Sequence, residues 1–257
     1  MSLKIGGLFD RLLMRHALRR WRAVAAGAER VDLATLRAMR GSARQTRREI
    51  DRLLHVVDGR LSLPAIGSDV IRKPLMSDWS WRPELWRGPV SPPGLAAVEN
   101  RATFGAEATV FHDCERSELT LRQIRNTRER DLAPFGVRMD VFRFSGSFLS
   151  LVIDLPAEAV TGLTLTHVIR MEAAVEMERP LEIFARLNVR HGPNTEQLVR
   201  ELPLQSDEVM VEFDLAYTKM NEKRVERAWI DLIFEGPEMN QIILRDVTFS
   251  RRPRAEL

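Results

Sequence analysis

An alternation of period two recurs through the C-terminal half of this chain and constrains its fold more than any other feature. Ile169, Met171, Ala173 and Val175 alternate with Arg170, Glu172 and Glu176. Leu181, Ile183, Ala185, Leu187 and Val189 alternate with Glu182, Phe184, Arg186, Asn188 and Arg190, and Val209, Val211, Phe213 and Leu215 with Glu212 and Asp214. Successive side chains of a strand point to opposite faces, so each run predicts a half-buried strand. Farther on, Ile230, Leu232 and Phe234 share one face and Trp229, Asp231 and Ile233 the other; a turn at Gly236 and Pro237 then leads to a final strand or pair through Phe249. Phe144 to Leu155 reads as a turn and a central strand. Strands separated by turn signals, with no long helix between them, predict an antiparallel β-sandwich of the jelly-roll kind over residues 108–257. Leu119, Leu121 and Ile124 fit a short helix or a strand, and both assignments stay open.

Residues 1–60 follow a different rule. Leu8, Phe9, Leu12, Leu13, Ala17, Leu18, Trp21, Val24 and Ala28 recur at three- and four-residue spacings opposite Arg11, Arg15, Arg19 and Arg22, which predicts an amphipathic helix. Gly27 marks its end and Asp32 is a candidate N-cap for a second helix. There Leu36, Met39, Ala43, Thr46, Ile50, Leu53 and Val57 form a heptad seam that wants another helix against it. This segment carries 14 Lys and Arg against six acids, a net +8, in a chain whose net charge is only +3, so the remainder carries −5. The split suggests that the two parts meet different partners, or each other. The expectation is a basic helical hairpin that self-associates or binds a protein, or one that lies on an anionic membrane surface through residues such as Phe9, Leu13 and Trp21. Nucleic acid is a weaker candidate, because the arginines fall in no recognition motif.

Residues 61–107 hold Pro64, Pro74, Pro83, Pro89, Pro92 and Pro93 with little periodicity and read as an extended connector. Trp79, Trp81 and Trp86 cluster within it. Large rings in such a stretch either pin it to the neighbouring core or stand exposed as interface anchors.

The chain holds no nucleophile elbow, phosphate-binding glycine loop, His-Glu-x-x-His helix or paired ligand cysteines, so neither an enzyme nor a cofactor is expected. His112, Asp113 and Cys114 adjoin in sequence, but on a strand the middle residue faces away from its neighbours, which favours a structural role. The stronger binding candidate is the polar face of Arg186, Asn188 and Arg190, extended by His191 and Asn194 in a following loop and by Trp229 as a stacking platform. Guanidinium forks and amides suit hydroxyls, carboxylates and phosphates. One cysteine precludes an intrachain disulfide, and no apolar run approaches the ~20 residues of a membrane-spanning helix. The N-terminus is broken by Asp10 and Arg11 where a signal peptide would need an apolar core. A cytoplasmic protein is therefore expected, either free or peripheral to the inner membrane.

The blocks "DWSWRPELWRGPVSPPG", "SELTLRQIRNTRERDLAPFG", "EIFARLNVRHGPNTEQ" and "AWIDLIFEGPEMNQIILRDVTFSRRPRAEL" resemble those of an alphaproteobacterial family classed as a domain of unknown function, over nearly the whole chain. That resemblance implies a bacterial source and no particular activity. The strand pattern is also similar to that of carbohydrate-binding jelly-roll sandwiches. The resulting expectation is a non-enzymatic binding or scaffolding protein whose sandwich engages a glycan or an acidic partner. The alternative is a structural subunit of a larger assembly, or a peripheral membrane protein.

Overall fold

A computed structural model describes residues 8–61, 71–128 and 130–254, with the side chains of residues 8–11 and 59–61 left out of the description. The chain divides into two compact units, Met1–Leu53 and Leu54–Leu257.

In the first unit, α1 (Leu8–Gly27) is followed by a single 3-10 turn and then by α2 (Leu33–Leu61), whose residues from Leu54 onward belong to the second unit. Asp32 caps α2 as its residue type demands. Oδ1 accepts from the backbone N–H groups of Ala34 and Thr35, and Oδ2 accepts from Thr35 Oγ1, so two of the helix's orphan donors are satisfied. No described side chain of this unit is buried. Trp21, Val24, Val31, Leu36 and Met39, all near the turn, are half-buried, while Leu13, Leu18, Ile50 and Leu53 are exposed. The heptad seam of α2 is therefore open along the stretch that the sequence predicts to be covered.

The second unit holds thirteen described strands in two antiparallel sheets. Four short strands come first: β1 (Trp79–Trp81), β2 (Gly94–Ala96), β3 (Ala102–Phe104) and β4 (Ala108–His112). Then follow β5 (Leu119–Arg125), β6 (Phe135–Val141), β7 (Leu149–Asp154), β8 (His167–Met177), β9 (Ile183–His191), β10 (Asn194–Glu201), β11 (Glu208–Asp214), β12 (Val225–Phe234) and β13 (Asn240–Pro253). Sheet A runs β11-β8-β13-β6-β5-β2, with β1 added on β13, and sheet B runs β10-β9-β12-β7-β4-β3. The fold is the jelly-roll-like sandwich that the alternation predicts, preceded by helices. Residues 119–125, open in the sequence, are a strand, and β7 is a central strand of sheet B.

Apolar faces of both sheets meet in one core. Sheet A contributes Ile169, Met171, Val211, Phe213, Val137, Met139, Ile242 and Phe249; sheet B contributes Ala185, Leu187, Ile230, Leu232, Leu151 and Ile153. A bulge between Leu244 and Asp246 inserts Arg245 into β13, so its buried residues shift from even positions (Ile242, Leu244) to odd ones (Val247, Phe249).

The stretch read as a connector is built into the sandwich. β1 pairs with β13, β2 with β5, and β3 with β4. A short helix, α3 (Glu84–Arg87), drives Trp86 wholly into the core. Trp79 and Trp81 are half-buried and stack at 6.4 Å, and Trp81 stacks on Phe249 at 5.8 Å. β1, β2 and β3 are each only three residues long, which is why their periodicity is too short to read.

Candidate functional site

Arg186 and Asn188 of β9 and Trp229 of β12 stand together on the outer face of sheet B. Asn188 lies opposite Trp229 on one side and Gln197 of β10 on the other, and Arg186 lies opposite Asp231. The hydrogen-bonding capacity of this face is engaged internally. Arg186 donates Nε and Nη2 to Asp231 Oδ2 at 2.7 and 2.6 Å. Asn188, only 1% exposed, donates to the same oxygen and to the Arg186 carbonyl, and its own Oδ1 accepts from Gln197. The Arg227 guanidinium sits 4.7 Å over the Trp229 ring, covering one of its faces.

Arg190 stands farther along the same outer face of β9, and the remaining candidates fall elsewhere. Arg190 is exposed and ion-paired with Glu226 at 3.1 Å. Asn194 is not in a loop but opens β10, opposite His191. His191 belongs to the inward set and is buried: Nδ1 accepts from the Asn221 N–H at 3.2 Å, and Nε2 lies 3.5 Å from Glu196 Oε1 without hydrogen-bond geometry. Strand parity decides this, since Arg190 and His191 must face opposite ways.

His112, Asp113 and Cys114 form a structural knot. His112 Nε2 bonds the Val98 carbonyl and its Nδ1 accepts from the Cys114 N–H. Asp113 accepts from Ser147 N and Oγ and from Phe148 N, while Cys114 Sγ accepts from Gly146 N. Asp113 and Cys114 hold the turn before β7, and His112 ties that corner to Val98. Among the described residues no group of three or more His, Cys, Asp or Glu is placed to hold a metal.

A more receptive site lies on the outer face of sheet A, where β2, β5, β6 and the start of β13 form an open groove of ≈ 620 Å³. Along β6 the chain alternates Val137, Met139 and Val141 inward with Arg138 and Asp140 outward, and the next residue, Phe142, is 52% exposed. Residues i, i+2 and i+4 share a face at about 7 Å intervals, so a guanidinium, a carboxylate and an aromatic ring form one row. Neighbouring strands add Thr120 and Gln241, both in register with Asp140, and Arg122, in register with Arg138.

Asp140 organises these donors. Oδ1 accepts from Arg138 Nε at 2.8 Å and Gln241 Nε2 at 3.1 Å; Oδ2 accepts from Thr120 Oγ1 at 3.3 Å and Arg122 Nη2 at 3.4 Å. Burial pushes the carboxyl up, but the hydrogen bond and charge of Arg138, joined by the bonds from Arg122 and Thr120, outweigh it and hold Asp140 below the usual Asp value. It is an anion at neutral pH. The Arg122 side chain is 55% exposed, and Arg179 and Met239 stand exposed at the rim, with Met239 N bonded to the Phe142 carbonyl. The groove thus offers planar multi-donor groups beside an unstacked ring. The alternation of residues 137–142 was the available sequence signal for it.

A second cleft of ≈ 260 Å³ flanks the β13 bulge. Its arginines are matched by acids: Arg82 with Asp246, Arg130 with Asp207, Arg72 with Glu208, and Arg245 with Glu176. Such matching makes it a cross-braced wall more than an anion site.

Of the interface candidates, Leu13 is exposed and Trp21 half-buried on α1, whereas the side chain of Phe9 lies outside the described residues. Trp79 and Trp81 present partial surface, and Trp86 presents none.

The family model for DUF6478, a family of unknown function, matches residues 1–257, and the chain belongs to that family. No curated protein matches it. Among solved structures, the family 11 carbohydrate-binding module from Clostridium thermocellum, in complex with a beta-1,3-1,4-mixed-linked tetrasaccharide, is similar at 10% identity and a TM-score of 0.39, covering 65% of this chain and 100% of that one. The C-terminal family 22 module of Clostridium thermocellum Xyn10B is similar at 7% identity and a TM-score of 0.36, over 73% and 100%. The enzymatically active domain of bacteriophage CBA120 tailspike protein 4 is similar at 7% identity and a TM-score of 0.39, over 56% of this chain and only 19% of the tailspike chain. A likeness this loose assigns no ligand to this chain.

Proposed function

We propose that the β-sandwich is a non-catalytic glycan-recognition module and that the groove on sheet A is its binding surface. The observation that carries this reading is the row Arg138, Asp140, Phe142, in which an exposed aromatic ring adjoins a fixed carboxylate and two guanidinium forks. Sugar rings present an apolar face and a fringe of hydroxyls, so they need both kinds of partner at once. The Arg186–Asn188–Trp229 face carries the same residue types, but its bonds are engaged within the sheet. The N-terminal helices, with no apolar side chain buried among the described residues, serve attachment or oligomerisation.

Profiling the full chain on a glycan array, followed by titration of the best ligand against Phe142→Ala and Arg122→Ala, tests the groove. Loss of about tenfold or more in each variant, with unfolding midpoints unchanged, is the expected result, because stacking of a planar ring on an exposed aromatic contributes about 1–3 kcal/mol and a hydrogen bond from a charged group about 1.5–3 kcal/mol. Absence of any glycan binding, or binding indifferent to both substitutions, overturns the reading.

A further inference from the structure

We infer that α1 lies in the plane of an anionic lipid bilayer, its apolar face sunk among the acyl chains and its arginines at the headgroups. This rests on reading the N-terminal unit as an attachment device and names what it attaches to.

At about 3.6 residues per turn, Leu13, Ala17, Trp21 and Val24 share one side of α1, flanked by Met14 and Leu18. Leu13 is 63% exposed, Met14 64% and Leu18 50%, so the apolar arc is open along its first two turns, while Trp21 and Val24, near the turn to α2, are half-buried. Arg15, Arg19 and Arg22 gather on the opposite side. Between Arg11 and Ala28 the sequence contains five arginines and no acid.

Charge decides which occupant covers that face. A second copy of α1 would bring one all-cationic edge against another, and like charges across a helix interface are unfavourable. An anionic headgroup layer is complementary to the same edge, and the arc is wider than a coiled-coil seam requires. α2 provides the contrast: its apolar stripe is narrow, and Arg47–Asp51 and Arg52–Glu49 pairs mix signs along its surface, as helices that pair with protein do. No described helix is long and apolar enough to cross a membrane, so α1 engages the surface without spanning it.

Flotation of the full chain with phosphatidylcholine vesicles, with and without phosphatidylglycerol, tests the inference. Recovery is expected only with the anionic vesicles, and it is expected to fall with added salt. Arg15→Gln combined with Arg19→Gln should weaken it by about 30-fold, given roughly one factor of five per basic residue at such a surface. Leu13→Ser combined with Trp21→Ser should abolish it. Because both pairs sit on a helix without buried side chains, the sandwich's unfolding midpoint should not move in either variant. Failure to float, or equal recovery on uncharged vesicles, overturns the inference. So does a wild-type dimer that Leu13→Ser with Trp21→Ser dissociates while no vesicle binds, since a second copy then covers the face. The vesicles carry no glycan, so loss of flotation and loss of glycan recognition are separate results.

Discussion

Trp86 donates its indole N–H to the carbonyl oxygen of Leu244 at 2.8 Å, across 158 residues of sequence. Leu244 is the last residue before the β13 bulge, where the ladder is interrupted and a carbonyl needs another donor. Asn126 does the same for the next carbonyl, that of Arg245, at 2.8 Å. Trp86→Phe keeps most of the packing but leaves a buried acceptor unsatisfied, and should cost about 1–3 kcal/mol. Trp86→Ala should cost about 3–5 kcal/mol. Urea unfolding followed by circular dichroism measures both, and a Phe variant as stable as wild type would show that the bond contributes nothing.

Asp231 accepts from both Arg186 and Asn188 on sheet B, at 5% side-chain exposure. Asp231→Ala leaves one buried amide and one half-exposed guanidinium short of a partner. A loss of about 1–3 kcal/mol is expected, discounted because Arg186 still reaches water. Arg186→Ala should leave ligand recognition untouched if that face is structural. A drop in glycan affinity in Arg186→Ala would instead move the binding surface to sheet B.

Acid should destabilise the sandwich with a definite sign. Asp78, Asp140 and Glu212 are each pushed up by burial but held below their usual values by arginines: Arg251 for Asp78, Arg138 for Asp140, Arg170 and Arg252 for Glu212. A carboxyl lowered in the folded state stabilises fully above its unfolded value and loses that contribution as pH falls through the folded one. Loss should therefore begin as pH drops toward the ordinary values of 3.8 for Asp and 4.5 for Glu and deepen below them. Glu107 has the opposite sign, because burial raises it despite the bond from the Glu84 N–H and the charge of Arg87. Thermal melts across pH should show a smaller acid-induced drop for Asp140→Asn than for wild type. An equal drop would count against the Arg138–Asp140 pairing.

Removing the cap at Asp32 should fray α2 locally. In Asp32→Ala the amides of Ala34 and Thr35 lose their acceptor and should exchange with solvent faster, with exchange in the core strands unchanged. Protection as strong as in wild type would mean that the cap does not hold the helix start.

Long elements with one buried face were legible from residue types alone. The core residues of β8, β9, β11 and β12 alternate as written in the sequence, and Asp32 is recognisable as a cap because its chemistry is local. What was not legible depends on distant partners. β1, β2 and β3 are three residues each, too short for a period, and exist because β13, β5 and β4 pair with them. The stretch HGPNTEQ reads as a loop, although the turn is only Gly192 and Pro193, because β10, Asn194–Glu201, is an edge strand with no buried position. The candidate site followed the same division. The alternation places Arg186 and Asn188 on one face of a strand, but the acid that engages both, Asp231, lies on another strand. The row through Asp140 was visible as alternation. Its meaning came only with Thr120, Arg122 and Gln241, which three other stretches of chain bring to it.

β13 lies between β8 and β6 in sheet A and also zips Trp79–Trp81 to Phe249–Arg251. During synthesis the ribosome delivers this strand after every other one described. Until then β8 and β6 have no common neighbour, and the tryptophan strand has nothing to pair with. Exposed strand edges of that kind invite association with other chains. From the completion of β8 at Met177 until β13 begins at Asn240 the nascent polypeptide therefore holds sheet A in unjoined parts, and its yield in cells should depend more on chaperone supply than the finished sandwich suggests.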